Sequence, residues 1–262
     1  MNPPLRRLDT GQRILDRLRR LRSRWCPTTR ERVVTACGDT VLAGPFRGMR
    51  YVDRAVGSAL PPKLLGTYEL ELHPWLEEII RTDYREIRVV GCAEGYYAVG
   101  LARRIPECRV LAHDLDRLVP DLLHRLAASN DVADRVEFRG EFSAASVASE
   151  PHSAPAGRTL IVCDIEGAET ELLDPEAMPP LQRADILVEV HDAATGTIET
   201  ILRERFSATH RIRRAIAIPR TLGDLKVPLQ RRFRRRTLER SIDEGRRYGL
   251  TWLFMTTDEP AR

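Results

Sequence analysis

Lysine is almost missing from this chain. Of 42 basic residues only Lys63 and Lys226 are lysines, so nearly every positive charge is an arginine. The formal net charge of +4 over 262 residues is mild, and the arginines crowd in only two places, Arg6 to Arg32 and Arg231 to Arg236. Either stretch could meet an acidic partner, but a solvated helix face accounts for it as well. Aromatic residues are sparse along both runs, where base stacking would need a series of them, so no nucleic-acid partner is expected.

Cysteine is scarce too. Cys26, Cys37, Cys92, Cys108 and Cys163 are odd in number, widely spaced and form no Cys-x-x-Cys pair. That excludes a disulfide framework and a zinc site, leaving reduced thiols in the core or in loops. No apolar run approaches the roughly 20 residues of a membrane-spanning helix. Met1-Asn2-Pro3-Pro4 followed by charge is not a secretory signal. A soluble, cytoplasmic protein is expected.

What the chain does have is alternation. After an N-terminal extension (residues 1–86), a single domain over 87–262 is expected. Asp9 and Gln12 suit a capping box, and Ile14, Leu15, Leu18, Leu21 and Trp25 fall on one face of a basic amphipathic helix. Docking on the body or on a sister copy, as in a homodimer, is the expectation for it. Residues 33–42 read as β-like, 44–51 as turns and 57–68 as irregular chain. A helix begins at Pro74 and runs to about Arg85.

Strands then alternate with helices. Strands at 87–90, 109–112 and 135–139 enclose helices at 96–104 and 118–128, and a Ser, Ala and Pro linker covers 143–157. Apolar strands at 159–163 and 186–190, a helix at 198–206 and β-like segments at 212–218 and 250–256 complete the pattern, with an Arg-rich helical stretch between the last two. This order predicts a mostly parallel, doubly wound α/β sheet that ends in an antiparallel strand.

The chemistry concentrates at strand ends. Gly91-Cys92-Ala93-Glu94-Gly95-Tyr96-Tyr97 is a glycine turn between a strand and a helix, placed where open α/β sheets bind ligands. Nineteen residues beyond Gly95, Asp114 leaves the second strand, where a carboxylate can accept hydrogen bonds from both hydroxyls of a ribose. A dinucleotide fingerprint would need glycine where Ala93 stands, so an adenosyl ligand without phosphates fits better.

Asp164 and Glu166 follow one strand, and Glu189, His191 and Asp192 lie at the end of the next. So many carboxylates suit a cation, a metal or a polar substrate. His191 is the first candidate for a general base and Asp164 the second; a histidine merely satisfied by a neighbouring carboxylate, with no proton-transfer role, is the alternative of nearly equal weight. A hard metal held by Asp164, Glu189 and His191 is a further reading, although the spacing does not single it out.

Three segments, Gly91 to Tyr97, Asp164-Ile165-Glu166-Gly167-Ala168-Glu169 and Glu189-Val190-His191, resemble the class I S-adenosylmethionine methyltransferases and, within them, the FkbM-type family. The likeness covers about residues 87 to 195. It implies a Rossmann-like fold and S-adenosylmethionine as cofactor. Gly91, Cys92, Glu94 and Gly95 would hold it in the turn, Asp114 and Leu115 would hold the ribose, and Glu141, between Gly140 and Phe142, would lie near the adenine. Asp164 would border the transferable methyl. Such enzymes often carry an acidic residue two positions before the first glycine; here Val89 stands there, and Glu94 is the substitute. Lys63, Thr67 and Tyr68 are candidates to contact the cofactor's amino-acid moiety; a structural turn with Tyr68 in the core is the equal alternative.

The resemblance favours O-methylation of a small molecule or glycan. A nucleic-acid methyltransferase and a non-catalytic protein that binds S-adenosylmethionine are the rival readings.

Overall fold

The computed structural model describes residues 29–149, 157–191, 196–245 and 250–257. The amphipathic segment 9–25, Cys26 and Asp192 lie outside them. A seven-stranded sheet organises the rest: β1 (Tyr84–Val90), β2 (Arg109–His113), β3 (Val136–Gly140), β4 (Arg158–Cys163), β5 (Asp185–Val190), β6 (His210–Ile216) and β7 (Thr251–Thr257). Their order is β3-β2-β1-β4-β5-β7-β6. β1 to β5 pair in parallel, and β7 lies antiparallel between β5 and β6. The expected α/β class and the reversed strand near the end are both present.

Apolar cores cover the two faces. One joins Ile87, Val89, Val110, Ala112, Leu160 and Val162 to Phe46, Leu72, Leu101 and Leu126. The other joins Val90, Ile161, Cys163, Ile186 and Val188 to Leu181, Leu202 and Phe206. β5 is buried along its whole length, which is why its centre, Ile186, Leu187 and Val188, is continuously apolar rather than alternating.

Register decides where the chemistry emerges. A row crosses the sheet in which Gly140 pairs with His113, His113 with Val90, Val90 with Cys163, and Cys163 with Val188. The chain therefore leaves the sheet at Glu141, Asp114, Gly91 and Asp164 along one edge. At the opposite edge buried Asp185 accepts hydrogen bonds from the Tyr84 hydroxyl (2.5 Å), Arg158 (2.7 Å) and the Thr257 backbone N–H (2.8 Å). One carboxylate thus fastens β1, β4, β5 and β7.

Four local expectations need correction. Residues 29–37 form a helix, Thr29–Cys37, where β-branched Val33, Val34 and Thr35 suggested a strand. Buried Val33 and Cys37, one helical turn apart, are what seat it. Leu60–Leu65 is also a helix, with its prolines in the first turn, where a missing N–H costs nothing. The helix begun near Pro74 spans His73–Arg81 and ends early because β1 starts at Tyr84. A short helix, Ala144–Ala148, stands inside the Ser/Ala/Pro linker, started by a Ser143 capping box with Ser146.

Candidate active site

The loop after β1 is shaped by its own neighbours. Gly91 has φ +76, and a Cβ there would lie 1.7 Å from the Asp164 carbonyl oxygen. A Cβ on Gly95, φ +106, would lie 2.6 Å from Leu123. Gly91 is therefore required by packing against the backbone at the end of β4, and Gly95 by its left-handed φ beside helix Val119–Ala128. Between them Ala93 holds a left-handed φ of 47, a conformation that costs a non-glycine residue free energy and recurs at functional sites.

Asp114 ties this loop to the next. Its Oδ2 accepts from the Ala93 N–H (2.9 Å) and its Oδ1 from the Asp116 N–H (2.9 Å). The residue is half-buried, and each carboxylate oxygen retains accepting capacity. Beside it Leu115 is 80% exposed and Leu118 62%, although both are large and apolar. Across the edge, His113 meets buried Phe142 edge-to-face at 5.0 Å, while Glu141 is exposed. A carboxylate with spare acceptors beside uncovered leucines has the chemistry to take a ribose and the flat face of a purine. The residues fit an adenosyl group on this observation.

Glu94 points the other way. It is fully buried; Oε1 accepts from Lys63 (2.5 Å) and from the Tyr51 hydroxyl, and Oε2 from the Val56 N–H (2.8 Å). Burial pushes its pKa up, but the Lys63 charge and these hydrogen bonds outweigh burial and leave it below the ordinary carboxylate value. Lys63 in turn lies 4.9 Å from the Tyr68 ring centre and 5.2 Å from that of Tyr96. The ion pair fastens the segment before β1 onto the glycine turn. Arg220, from the β6–β7 connection, makes 2.6 Å bonds to Glu71 and Glu244 and also bonds the Thr67 carbonyl. Thr67, Tyr68 and Lys63 accordingly belong to a buried cap over this end of the sheet.

The acidic group assembles around His191. Its Nε2 lies 3.5 Å from Asp164, 3.5 Å from Glu189 and 3.7 Å from Glu166. Its Nδ1 lies 2.7 Å from Oε1 of Glu169. Burial lowers the imidazole pKa, but the Glu169 hydrogen bond and the charges of Asp164, Glu169 and Glu166 raise it further, so the net shift is upward. Asp164, Glu166 and His191 can each offer one ligand atom, all within 4.8 Å of one another, a donor set that a hard divalent cation also accepts.

Sequence reasoning brought Asp164, Glu166, Glu189 and His191 together correctly but gave Glu169 no part. Its only signal was membership of the segment Asp164 to Glu169. Likewise Glu94 was singled out while its partners Tyr51 and Val56 were not, because contacts made from 38 and 43 residues away leave no local pattern.

No protein-family model matches the chain, and no curated protein does either. Solved structures do. The crystal structure of precorrin-6y C5,15-methyltransferase from Geobacter metallireducens GS-15 is similar with a TM-score of 0.50 at 11% identity, over 80% of this chain and 94% of that one. An O-methyltransferase from Bacillus cereus in complex with SAH gives 0.46 at 13%, over 91% and 96%. The O-methyltransferase TomG from Streptomyces achromogenes in complex with SAM gives 0.44 at 16%, over 71% and 78%. These three structures are of methyltransferases, two of them in complex with SAH or SAM, and at these identities what the chain shares with them is the Rossmann-like fold.

Proposed function

We propose that this chain is an S-adenosylmethionine-dependent methyltransferase of the FkbM type that methylates an oxygen of a small molecule or glycan. One observation carries the reading. Asp114, beside uncovered Leu115, and His191, beside Asp164, leave the same edge of the sheet on either side of β1 and β4, where the order of winding reverses and open α/β sheets take their ligands.

Asp114 and Leu115 would receive the ribose, Glu141 would stand beside the adenine, and Gly91, Cys92 and Gly95 would form the turn beneath. Glu94 would brace that turn from the cap side. The cofactor supplies an electrophilic methyl on a sulfonium.

His191 then takes the proton of the acceptor hydroxyl on Nε2, and the oxygen keeps the O–H electron pair. Asp164, 3.5 Å away, steadies the resulting imidazolium and is the alternative base. General-base help of this kind is worth typically ~10²–10⁴-fold.

Calorimetric titration with S-adenosylmethionine and with S-adenosylhomocysteine tests the reading. Micromolar binding is expected in the wild type, weakened at least about tenfold in Asp114→Asn, the loss of roughly one charge-assisted hydrogen bond. A folded wild type that binds neither compound overturns it. Adding a chelator to the methylation assay separates base from metal: activity that falls and returns with magnesium assigns the cluster to a cation.

A further inference from the structure

We propose that Glu169 is the positioning residue of this site: it holds the Nδ1 proton of His191 and so fixes the ring in the tautomer whose Nε2 is free to accept a proton. The inference rests on His191 being the base.

A neutral imidazole has one donor nitrogen and one acceptor nitrogen. A carboxylate only accepts. The nitrogen 2.7 Å from Glu169 Oε1 must therefore carry the hydrogen, which leaves the lone pair on Nε2. Nε2 is also the nitrogen that faces Asp164, Glu166 and Glu189.

Glu169 is well placed to enforce this choice. It is fully buried, so water cannot take its place at the ring, and the Gly167 N–H donates to the same Oε1 at 3.0 Å, which fixes the carboxylate. Its other oxygen, Oε2, has no hydrogen bond among the described residues, so the ring and Gly167 carry the whole burden of stabilising a buried charge. The other tautomer would set a lone pair against that charge at 2.7 Å, whereas the carboxylates facing Nε2 stand at 3.5 Å or more. Glu166, by contrast, is 82% exposed at its side chain and can relax into solvent.

When the acceptor's O–H bond breaks, the proton moves to Nε2 and the electron pair stays on the acceptor oxygen. The imidazolium then has Glu169 on one side and Asp164, Glu166 and Glu189 on the other. It returns to neutral by losing the Nε2 proton to solvent.

The test reads the ring directly. Histidine labelled with ¹⁵N reports which ring nitrogen carries hydrogen, and comparison with His191→Gln picks out His191 among the six histidines. At a pH where the ring is neutral, the wild type is expected to show hydrogen on Nδ1. Glu169→Gln, close in shape, is expected to give a mixed or reversed tautomer and a lower His191 titration midpoint. Its kcat should fall roughly 10²-fold with KM for S-adenosylmethionine unchanged. If that variant does not fold, Glu169→Asp, which keeps the charge but shortens the reach, is read the same way.

A wild-type ring protonated on Nε2, or a tautomer and midpoint indifferent to both substitutions, overturns the proposal. If the tautomer is as stated but His191→Gln keeps full kcat, the base reading alone fails, and with it the catalytic purpose of Glu169.

Discussion

At the scale of single residues, the raised pKa of His191 moves two quantities in opposite directions. A folded-state pKa above the unfolded one means that the folded protein binds the proton more tightly. The resulting stabilisation is fully present below the unfolded value and is lost as pH rises through the folded value. If His191 is the base proposed above, the neutral ring is the active form, and kcat should climb through the same window. Thermal unfolding of wild type and His191→Gln between about pH 5 and about pH 9 should show the largest difference at the acid end, and a difference that grows with pH would refute the assignment. The glycines make a second contrast. Gly140→Ala places its Cβ where nothing lies within 4 Å and should cost only the left-handed penalty, about 1 kcal/mol. Gly91→Ala must also displace the Asp164 carbonyl, and should lose several kcal/mol in urea unfolding together with cofactor binding.

At the scale of elements, periodicity exposed what local physics determines. Helix Tyr96–Arg104 and strands β4 and β5 were legible because turn residues bound them and because buried strands are continuously apolar. The helices Thr29–Cys37 and Leu60–Leu65 were not, since β-branched residues and prolines argue locally against them and packing overrules that preference. The candidate site divides the same way. Asp114, Asp164 and His191 could be found because each directly follows a strand, whereas Glu169 meets His191 only through a contact across 22 residues. The cap was read as irregular because Lys63, Glu94, Arg220 and Glu71 meet only in three dimensions. Glu94→Gln should leave the buried Lys63 charge without its counter-ion and cost about 3–5 kcal/mol. Chemical denaturation measures the loss, and a change below about 1 kcal/mol would mean that the pair behaves like a surface salt bridge. The Glu94 pKa is lowered, so its stabilisation is present above the unfolded pKa and fades as pH falls through the folded one.

At the scale of the molecule, the two edges of the sheet have separate duties. The edge holding Asp114 and His191 is the one proposed to take the ligand, and the edge fastened by Asp185 serves stability. Asp185→Ala should cost about 3 kcal/mol or more, because Arg158 and the Tyr84 hydroxyl lose a buried partner, while leaving the affinity for S-adenosylmethionine of the folded protein unchanged. Calorimetric titration at low temperature checks the second half of that statement. The antiparallel β7 has a consequence of another kind. It is the last strand among the described residues yet lies between β5 and β6, so β5 has no partner on that side until residues 251–257 leave the ribosome. At roughly 5–20 residues per second, the apolar backbone of Ile186, Leu187 and Val188 waits several seconds with an open hydrogen-bonding edge. During those seconds the open strand can pair with a neighbour on the same polysome, and a chaperone that shields it would be expected to raise the yield of the folded protein.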